Sequence, residues 1–373
     1  MVAGDTPPLA SWATLEGCDM TSAAALVNQA DARPSFLSAP PPNPTALLTD
    51  LVTPQLHAVD RLFAQELASD LPNVNELVSH VAKFRGKMLR PMLLLLSGLA
   101  ASGRQDSLTD DHVVLATVVE MVHMATLVHD DILDGAEIRR QGATINHLHG
   151  NEAAVLLGDF LISHAYHLCS SLNARGGCGA GASRLIAHTT NVVCEGELTQ
   201  NFHQRHWQLD EKTYYLIIHR KTAALTEVCC RLGAMLSTDR PEWVDALAFF
   251  GRQVGTAFQI VDDILDICGQ QKTVGKSLGT DIEKGKLTLP LIHFLKHAAA
   301  PHRELLLELL DSADHDRVAH VRQLVAPSAS IAYARGQAEC LVAEAVSALH
   351  VLPESAAREA LMEAARFVTA RNK

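Results

Sequence analysis

The sequence predicts an all-α protein whose bulk is one large helical domain. Three observations carry that expectation. From Ala46 onward, apolar residues recur at three- and four-residue spacing almost without interruption. Sustained alternating runs of β-branched residues are missing from the pattern. The composition is 48% hydrophobic but only 5% aromatic, an Ala/Leu/Val-rich mix that favours helix. A chain of 373 residues is long enough for two domains, yet the periodic pattern reads as a single bundle of ten or more helices.

Residues 1–44 differ from the rest. Seven prolines fall there, and "APPPNP" (Ala39–Pro44) closes the segment, which reads as a disordered or loosely attached extension. The domain proper then spans 45–373. Helical stretches are separated by turn-forming clusters in order: "SGRQDS" (Ser102–Ser107), "RQGATINHLHGN" (Arg140–Asn151), "NARGGCGAGAS" (Asn173–Ser183), "STDRPEW" (Ser237–Trp243), "GQQKTVGKSLGTDIEKGK" (Gly269–Lys286) and "VLPES" (Val351–Ser355). The stretch "DHVVLATVVEMVHMATLVHDDILD" is apolar nearly all round, so it belongs at the centre of the bundle. Glycines 176, 177, 179 and 181 read as a loop. "GKS" at Gly275–Ser277 lacks the upstream glycine of a phosphate-binding loop.

The formal net charge of −11 argues against non-specific nucleic-acid binding. It leaves room for a phosphorylated small molecule if a bound cation inverts the local field. Eight cysteines without a C-x-x-C pair read as reduced core residues of a cytoplasmic protein. No run reaches the roughly 18 apolar residues expected of a membrane span, and the N-terminus shows neither a secretory nor a transit pattern.

The string DDILD occurs twice, at Asp130–Asp134 and Asp262–Asp266. Residues four apart on a helix share a face, so Asp130 pairs with Asp134 and Asp262 with Asp266, while Asp131 and Asp263 sit about 100° away. A carboxylate cluster inside apolar helix is unfavourable unless protonated, paired or metal-bound. Aspartates at a helix C-terminus also oppose its dipole, which makes a plain cap a poor explanation. Oxygen ligands with room for water suit Mg²⁺, which takes one or two carboxylates and completes its shell with substrate phosphates. Two such clusters on facing helices could hold several Mg²⁺ ions around one diphosphate. Cations crowd the same motifs: Lys87 and Arg90 in "RGKMLRP", Arg139 and Arg140 just after the first DDILD, Lys221 in "KTAAL", and Lys276 and Lys286 in the segment after the second. His123 lies two turns before Asp130 on the same face. Each alone is more simply a surface charge or a core histidine; their clustering is the signal.

The ordered set "GKMLRP", "EMVHMATLVHDDILDGAEIRRQGATINH", "GDFLIS", "EGELTQ", "HRKTAAL", "FQIVDDILD" and "GKSLGTDIEKGKLTLPLIH" closely resembles the trans-isoprenyl diphosphate synthases, from about residue 46 to the C-terminus. Within them it looks most like the bacterial long-chain, octaprenyl-type synthases that make quinone side chains. The resemblance implies an isoprenoid synthase fold around a deep central cavity, usually in a homodimer. It implies Mg²⁺-dependent, head-to-tail condensation of isopentenyl diphosphate onto an allylic diphosphate. Carried over, Asp130, Asp134 and Asp262 would bind Mg²⁺, with Asp131, Asp263 and Asp266 in support. Arg139, Lys221, Lys276 and Lys286 would hold the allylic diphosphate, with Thr222 and Gln259 near the reacting carbon. Lys87, Arg90, His123 and Arg140 would bind isopentenyl diphosphate. The usual "GGKRxRP" reads "RGKMLRP" here, so Arg85 and Met88 depart from the pattern while Lys87 and Arg90 keep their spacing.

In this family the product grows past the residues just before the first motif. Here these are Ala125 and Thr126, with Val122 and Met121 about one 5.4 Å turn deeper. None is an aromatic stopper, which favours a long product, released at a membrane surface. Three rivals stand beside this reading: a short-chain farnesyl or geranylgeranyl synthase, a terpene cyclase, and a non-catalytic subunit of a heteromeric synthase. A cyclase would lack Lys87, Arg90 and His123. A non-catalytic subunit would carry degraded aspartate motifs.

Overall fold

The computed structural model describes residues 50–83, 86–104, 106–140, 142–172, 179–269, 278–314 and 316–370. The expected extension over 1–44 and the candidate Lys276 lie outside them. The order is α1 (Thr53–Glu66), α2 (Pro72–Ala82), α3 (Leu89–Ser102), α4 (Asp110–Leu133), strands β1 (Ile138–Arg139) and β2 (Gly142–Ala143), α5 (Ile145–Ser171), α6 (Gly179–Phe202), α7 (Glu211–Ile218), a π-helical turn (His219–Ala223), α8 (Ala224–Met235), α9 (Pro241–Cys268), α10 (Thr280–Glu283), α11 (Leu289–His297), α12 (Ala300–Asp311), α13 (Arg317–Val325), α14 (Ala329–Ala348) and α15 (Ala356–Ala370).

Helices pack as a chain of neighbours: α5 on α4, α4 on α3, α3 on α8, α8 on α9, and α9 on α14. Each contact follows from the sequence pattern. The α3 run "PMLLLLSGLAA" is buried throughout, because it is covered by α4 on one side and α8 on the other. Gly233 lets α8 come that close, since a Cβ there would stand 2.0 Å from the Leu94 carbonyl. Against the expectation that no run is long enough, α4 is long and apolar enough to cross a membrane by length and composition, but it is mostly buried and forms the core of the bundle instead.

One element departs from the all-α expectation. β1 and β2 form a two-rung antiparallel hairpin, with Arg139 opposite Gly142. Its turn carries Arg140 at φ 48°, the left-handed geometry that tight hairpins require. The hairpin redirects the chain after the first DDILD, and this decides where Arg139 and Arg140 point.

The start of α4 is held by His112. Its Nδ1 accepts from the Thr109 backbone N–H at 3.1 Å, and Nε2 lies 2.9 Å from Ser237 Oγ at the end of α8. Burial pushes His112 down to about 4, with only partial opposition from the Gly233 carbonyl and Asp111. A proton on Nδ1 would face a donor, so the folded site demands a neutral ring. The unfolded chain takes up that proton near pH 6.5. The unfolded state therefore binds more protons between these values, and the stability His112 contributes is complete above pH 6.5 and lost as the pH falls towards 4. The loss amounts to roughly 3 kcal/mol at most. Glutamine also completes a capping box, so His112→Gln is expected to flatten the fall in melting temperature between pH 7 and pH 5. Equal pH profiles for the two proteins would rule this account out.

Candidate active site

Two core helices each carry a stripe that water reaches. On α4, between Val114 and Asp131, only His123, Thr126, Leu127, His129 and Asp130 are not fully buried. On α9, between Gln253 and Ile267, the exceptions are Phe258, Gln259, Asp262 and Asp266. Apart from His129, which turns towards α5, these follow helical spacing and define two cleft walls.

The middle aspartate of each motif turns away from the cleft. Asp131 is buried and accepts from Arg139 Nε and Nη2, both at 2.8 Å. Asp263 is buried and accepts from the Tyr214 hydroxyl at 2.6 Å and from Gln259 Nε2 at 2.8 Å. Asp266 accepts from the backbone N–H groups of Gly279, Thr280 and Asp281 at 2.9–3.3 Å. It thereby ties the start of α10 to α9. The turn after α10 returns the chain so that Lys284 and Lys286 stand 2.7 and 3.5 Å from Asp134. Gly285, at φ 69°, makes that turn possible.

Lys221 sits in the π-helical turn, a feature often found at functional sites. It pairs with Glu197 of α6, while Arg220 pairs with Glu195. Between these two glutamates stands Gly196, where a Cβ would come within 2.6 Å of the Lys221 backbone nitrogen. On the other side, a Cβ at Gly255 of α9 would lie 2.8 Å from Ala223 Cα. The π-turn is thus gripped between two helices that approach it at glycine. Thr222, next to Lys221, donates to Gln259 Oε1 at 2.9 Å.

The charges respond to this crowding. Burial raises Asp130 above the ordinary carboxylate range; Lys221 opposes, while Glu197 and Asp134 add to the rise. Burial would also raise Asp134, but Lys286 and Lys284 outweigh it and hold it low. Burial disfavours the Lys221 charge, yet Asp130 and Glu197 keep its ammonium above its usual value. Asp281 is pushed up to about 6 by burial and by Asp266, against the pull of Lys286, Lys221 and Lys284.

A second, mainly cationic group lies further up α4. Burial, then Arg90, Arg140 and Arg139, drive His123 well below the usual histidine range, so its ring is neutral at pH 7. Arg140 reaches the loop before α3, where a Cβ on Gly86 would lie 2.6 Å from its guanidinium. Arg90 is the second residue of α3, and its Nε is buried with no hydrogen-bond partner among the described residues. Met88, at φ 51°, turns the chain into that helix. Lys87 beside it is exposed.

The structure therefore gathers Asp130, Asp134, Lys221, Thr222, Gln259, Asp266 and Lys286 in one network, with Asp262 on the same stripe of α9, and Arg90, His123 and Arg140 in a second cluster. Arg139 joins Asp131 at the rim. Of the chain-length candidates, Met121, Val122 and Ala125 are fully buried and Thr126 is half-buried. Sequence reasoning missed Glu197, Tyr214, Asp281, Lys284 and Glu120. Glu120 is 2% exposed and its charge acts on both Arg90 and Arg140. Glu197, Asp281, Lys284 and Glu120 lie inside the quoted motifs and Tyr214 five residues before one, but no spacing rule distinguishes a buried partner from a surface group.

Among the described residues, no three His, Cys, Asp or Glu side chains converge as a ready metal cage. The donors present are carboxylates already facing lysines. Such a set fits a hard divalent cation held through one or two carboxylates and completed by phosphate oxygens.

Known proteins resemble this chain in sequence and fold. The polyprenyl synthetase family matches residues 71–327. Octaprenyl diphosphate synthase of Escherichia coli is 31% identical over 327 residues, covering 87% of this chain and 98% of that protein. A short chain isoprenyl diphosphate synthase of Methanothermobacter thermautotrophicus is 35% identical over 292 residues, 78% and 88% of the two chains. The fold superposes with a TM-score of 0.80 on a polyprenyl synthase from Caulobacter crescentus, complexed with calcium and isoprenyl diphosphate, at 29% identity and 91% and 100% coverage.

Proposed function

The chain belongs to the polyprenyl synthetase family, and we propose that it condenses isopentenyl diphosphate head-to-tail onto an allylic diphosphate, making a long all-trans polyprenyl diphosphate of the kind used for quinone side chains. One observation carries the reading: the cleft has two cationic ends of different chemistry. At one, lysines stand among carboxylates, the setting for a diphosphate bound partly through divalent ions. At the other, Arg90, Arg140 and neutral His123 gather near the buried carboxylate of Glu120 with positive charge in excess, the setting for a diphosphate gripped directly.

In this reading Asp130, Asp134 and Asp262 hold Mg²⁺ together with the allylic diphosphate, and Lys221, Lys284 and Lys286 add fixed positive charge. The family resemblance adds Lys276 to them. Bound Mg²⁺ supplies charge neutralisation to the diphosphate as its bond to the allylic carbon breaks. The lysines stabilise the same leaving group without reorganising. Arg90, Arg140, Lys87 and His123 orient the second substrate so that its double bond faces the allylic cation. The released diphosphate takes the proton lost from the new chain, which completes the step. Leu127 of α4 and Phe258 of α9, the apolar residues on the two stripes, keep water from the cation.

The relatives' names span long and short products, so length rests on the pocket. Thr126 on the cleft stripe is small and Ala125 behind it is fully buried, so no bulky side chain at this level blocks a product of more than four isoprene units. Incubation with isopentenyl diphosphate, farnesyl diphosphate and Mg²⁺, with the dephosphorylated products resolved by length, is expected to give chains beyond geranylgeraniol. Ala125→Tyr is expected to shorten them by at least one unit while the protein stays folded. A folded variant with an unchanged distribution would sink the pocket argument, and products of four units or fewer from the wild type would make this a short-chain enzyme.

A homodimer fits the surface. Leu198 and Phe202 share a face of α6, Val155 and Leu156 stand next to each other on α5 beyond its kink at Gly150, and all four are exposed. α5 and α6 pack together, so a second copy can cover both. The amphiphilic product is best released at a membrane surface, which makes the enzyme cytoplasmic with peripheral membrane contact.

A further inference from the structure

We propose that Tyr214 is a positioning residue for the condensation, acting through Asp263 to set the direction of the Gln259 amide; the inference rests on the prenyl-transfer reading above. Tyr214 is 3% exposed, on α7, and belongs to neither of the two stripes that line the cleft. Its hydroxyl donates to Asp263 Oδ2 at 2.6 Å. The other oxygen of the same carboxylate accepts from Gln259 Nε2 at 2.8 Å. Gln259 Oε1 then accepts from Thr222 Oγ1 at 2.9 Å. The relay runs from the core to the half-open wall and joins three elements: α7, α9 and the π-turn.

Burial, then Asp281, push the Asp263 carboxyl well above its ordinary range, while donation from Tyr214 and Gln259 draws it back towards the ionised form, and the bond directions follow for that form. A carboxylate only accepts. It therefore turns the amide nitrogen of Gln259 inward and leaves the carbonyl oxygen towards Thr222 and the cleft. An amide has nearly the same shape when flipped, so without this anchor nothing in its outline selects one orientation. The choice matters where positive charge develops on carbon, because a carbonyl oxygen presents the negative end of a dipole and an amino group presents the positive end. Removing the tyrosine hydroxyl strips a buried carboxylate oxygen of its donor. The carboxylate then reorients to recover a partner, and Gln259 loses its anchor.

The test is a double-mutant cycle on the full chain: wild type, Tyr214→Phe, Gln259→Leu and the double variant. The readouts are the single-turnover rate of carbon–carbon bond formation, the affinity for a non-ionising thiolo analogue of the allylic diphosphate, and the melting temperature. Tyr214→Phe is expected to slow the chemical step about 10- to 100-fold, with analogue affinity within about twofold of wild type. In the Gln259→Leu background it is expected to add no further slowing, the signature of two residues acting as one unit. A double variant as slow as the product of the two single effects would overturn the relay. So would a Tyr214→Phe protein that melts lower yet reacts at the wild-type rate. If Tyr214→Phe fails to fold, the cycle between Asp263→Asn and Gln259→Leu gives the same two outcomes. A wild type that forms no bond with any allylic primer removes the prenyl-transfer reading itself, and this inference with it. An active wild type with additive variants removes this inference alone.

Discussion

Asp130→Ala is expected to lower kcat by about a thousandfold or more, the range seen when a group that stabilises developing charge is removed. Asp130 faces the cleft and is held above the ordinary carboxylate range by burial, with Lys221 its main compensation. Such a group is maintained for function rather than stability. The ligand-free variant is therefore expected to melt at the wild-type temperature or above it. Asp131→Asn is the informative contrast, because Asp131 is buried against Arg139 and turned from the cleft. Its loss should disturb the rim hairpin, with a smaller effect on the chemical step. Steady-state kinetics with a fixed allylic primer, alongside thermal melting, checks both. An Asp130→Ala protein within tenfold of wild type would show that the first motif does not hold the leaving group.

Gly196→Ala is expected to cost about a hundredfold in kcat, the penalty associated with displacing a catalytic group by about 1 Å. The added methyl would stand 2.6 Å from the Lys221 backbone nitrogen and 2.8 Å from Arg220 Cβ. Backbone cannot yield as a flexible side chain does, so α6 and the π-turn must separate. Lys221 and Thr222 move with that turn, away from Asp130 and Gln259. The same methyl on an exposed helix position would stabilise slightly, since alanine is the better helix former. A lower melting temperature together with lost activity supports the grip on the π-turn. Activity close to wild type would mean that α6 relaxes without moving the lysine.

Much of this was legible in the chain. Helical periodicity and the missing strand pattern determined the all-α class, because both are local properties of which residues lie within one turn. The pairing of Asp130 with Asp134, and of Asp262 with Asp266, followed from helix geometry alone, as did the offset of Asp131 and Asp263. Turn residues placed most breaks between helices, and the resemblance of whole motifs supplied the reaction class. These are short-range facts, and a helix enforces them wherever it sits.

Contacts between distant segments were not legible. Nothing in "KTAAL" announces a π-turn, which arises where α6 and α9 press on the chain at Gly196 and Gly255. The small hairpin at 138–143 leaves no signal in the sequence, because two rungs are too short to show alternation. The partners of the middle aspartates were hidden for the same reason: Tyr214 and Asp263 are 49 residues apart and meet only when α7 folds across α9. Lys284 looked like one more surface lysine until the turn at Gly285 brought it to Asp134. The sequence by itself determined which chemical groups the protein owns and which helix face each occupies. Only the tertiary structure decided which of them are buried and who their partners are, since burial and pairing depend on the surfaces that distant helices bring together.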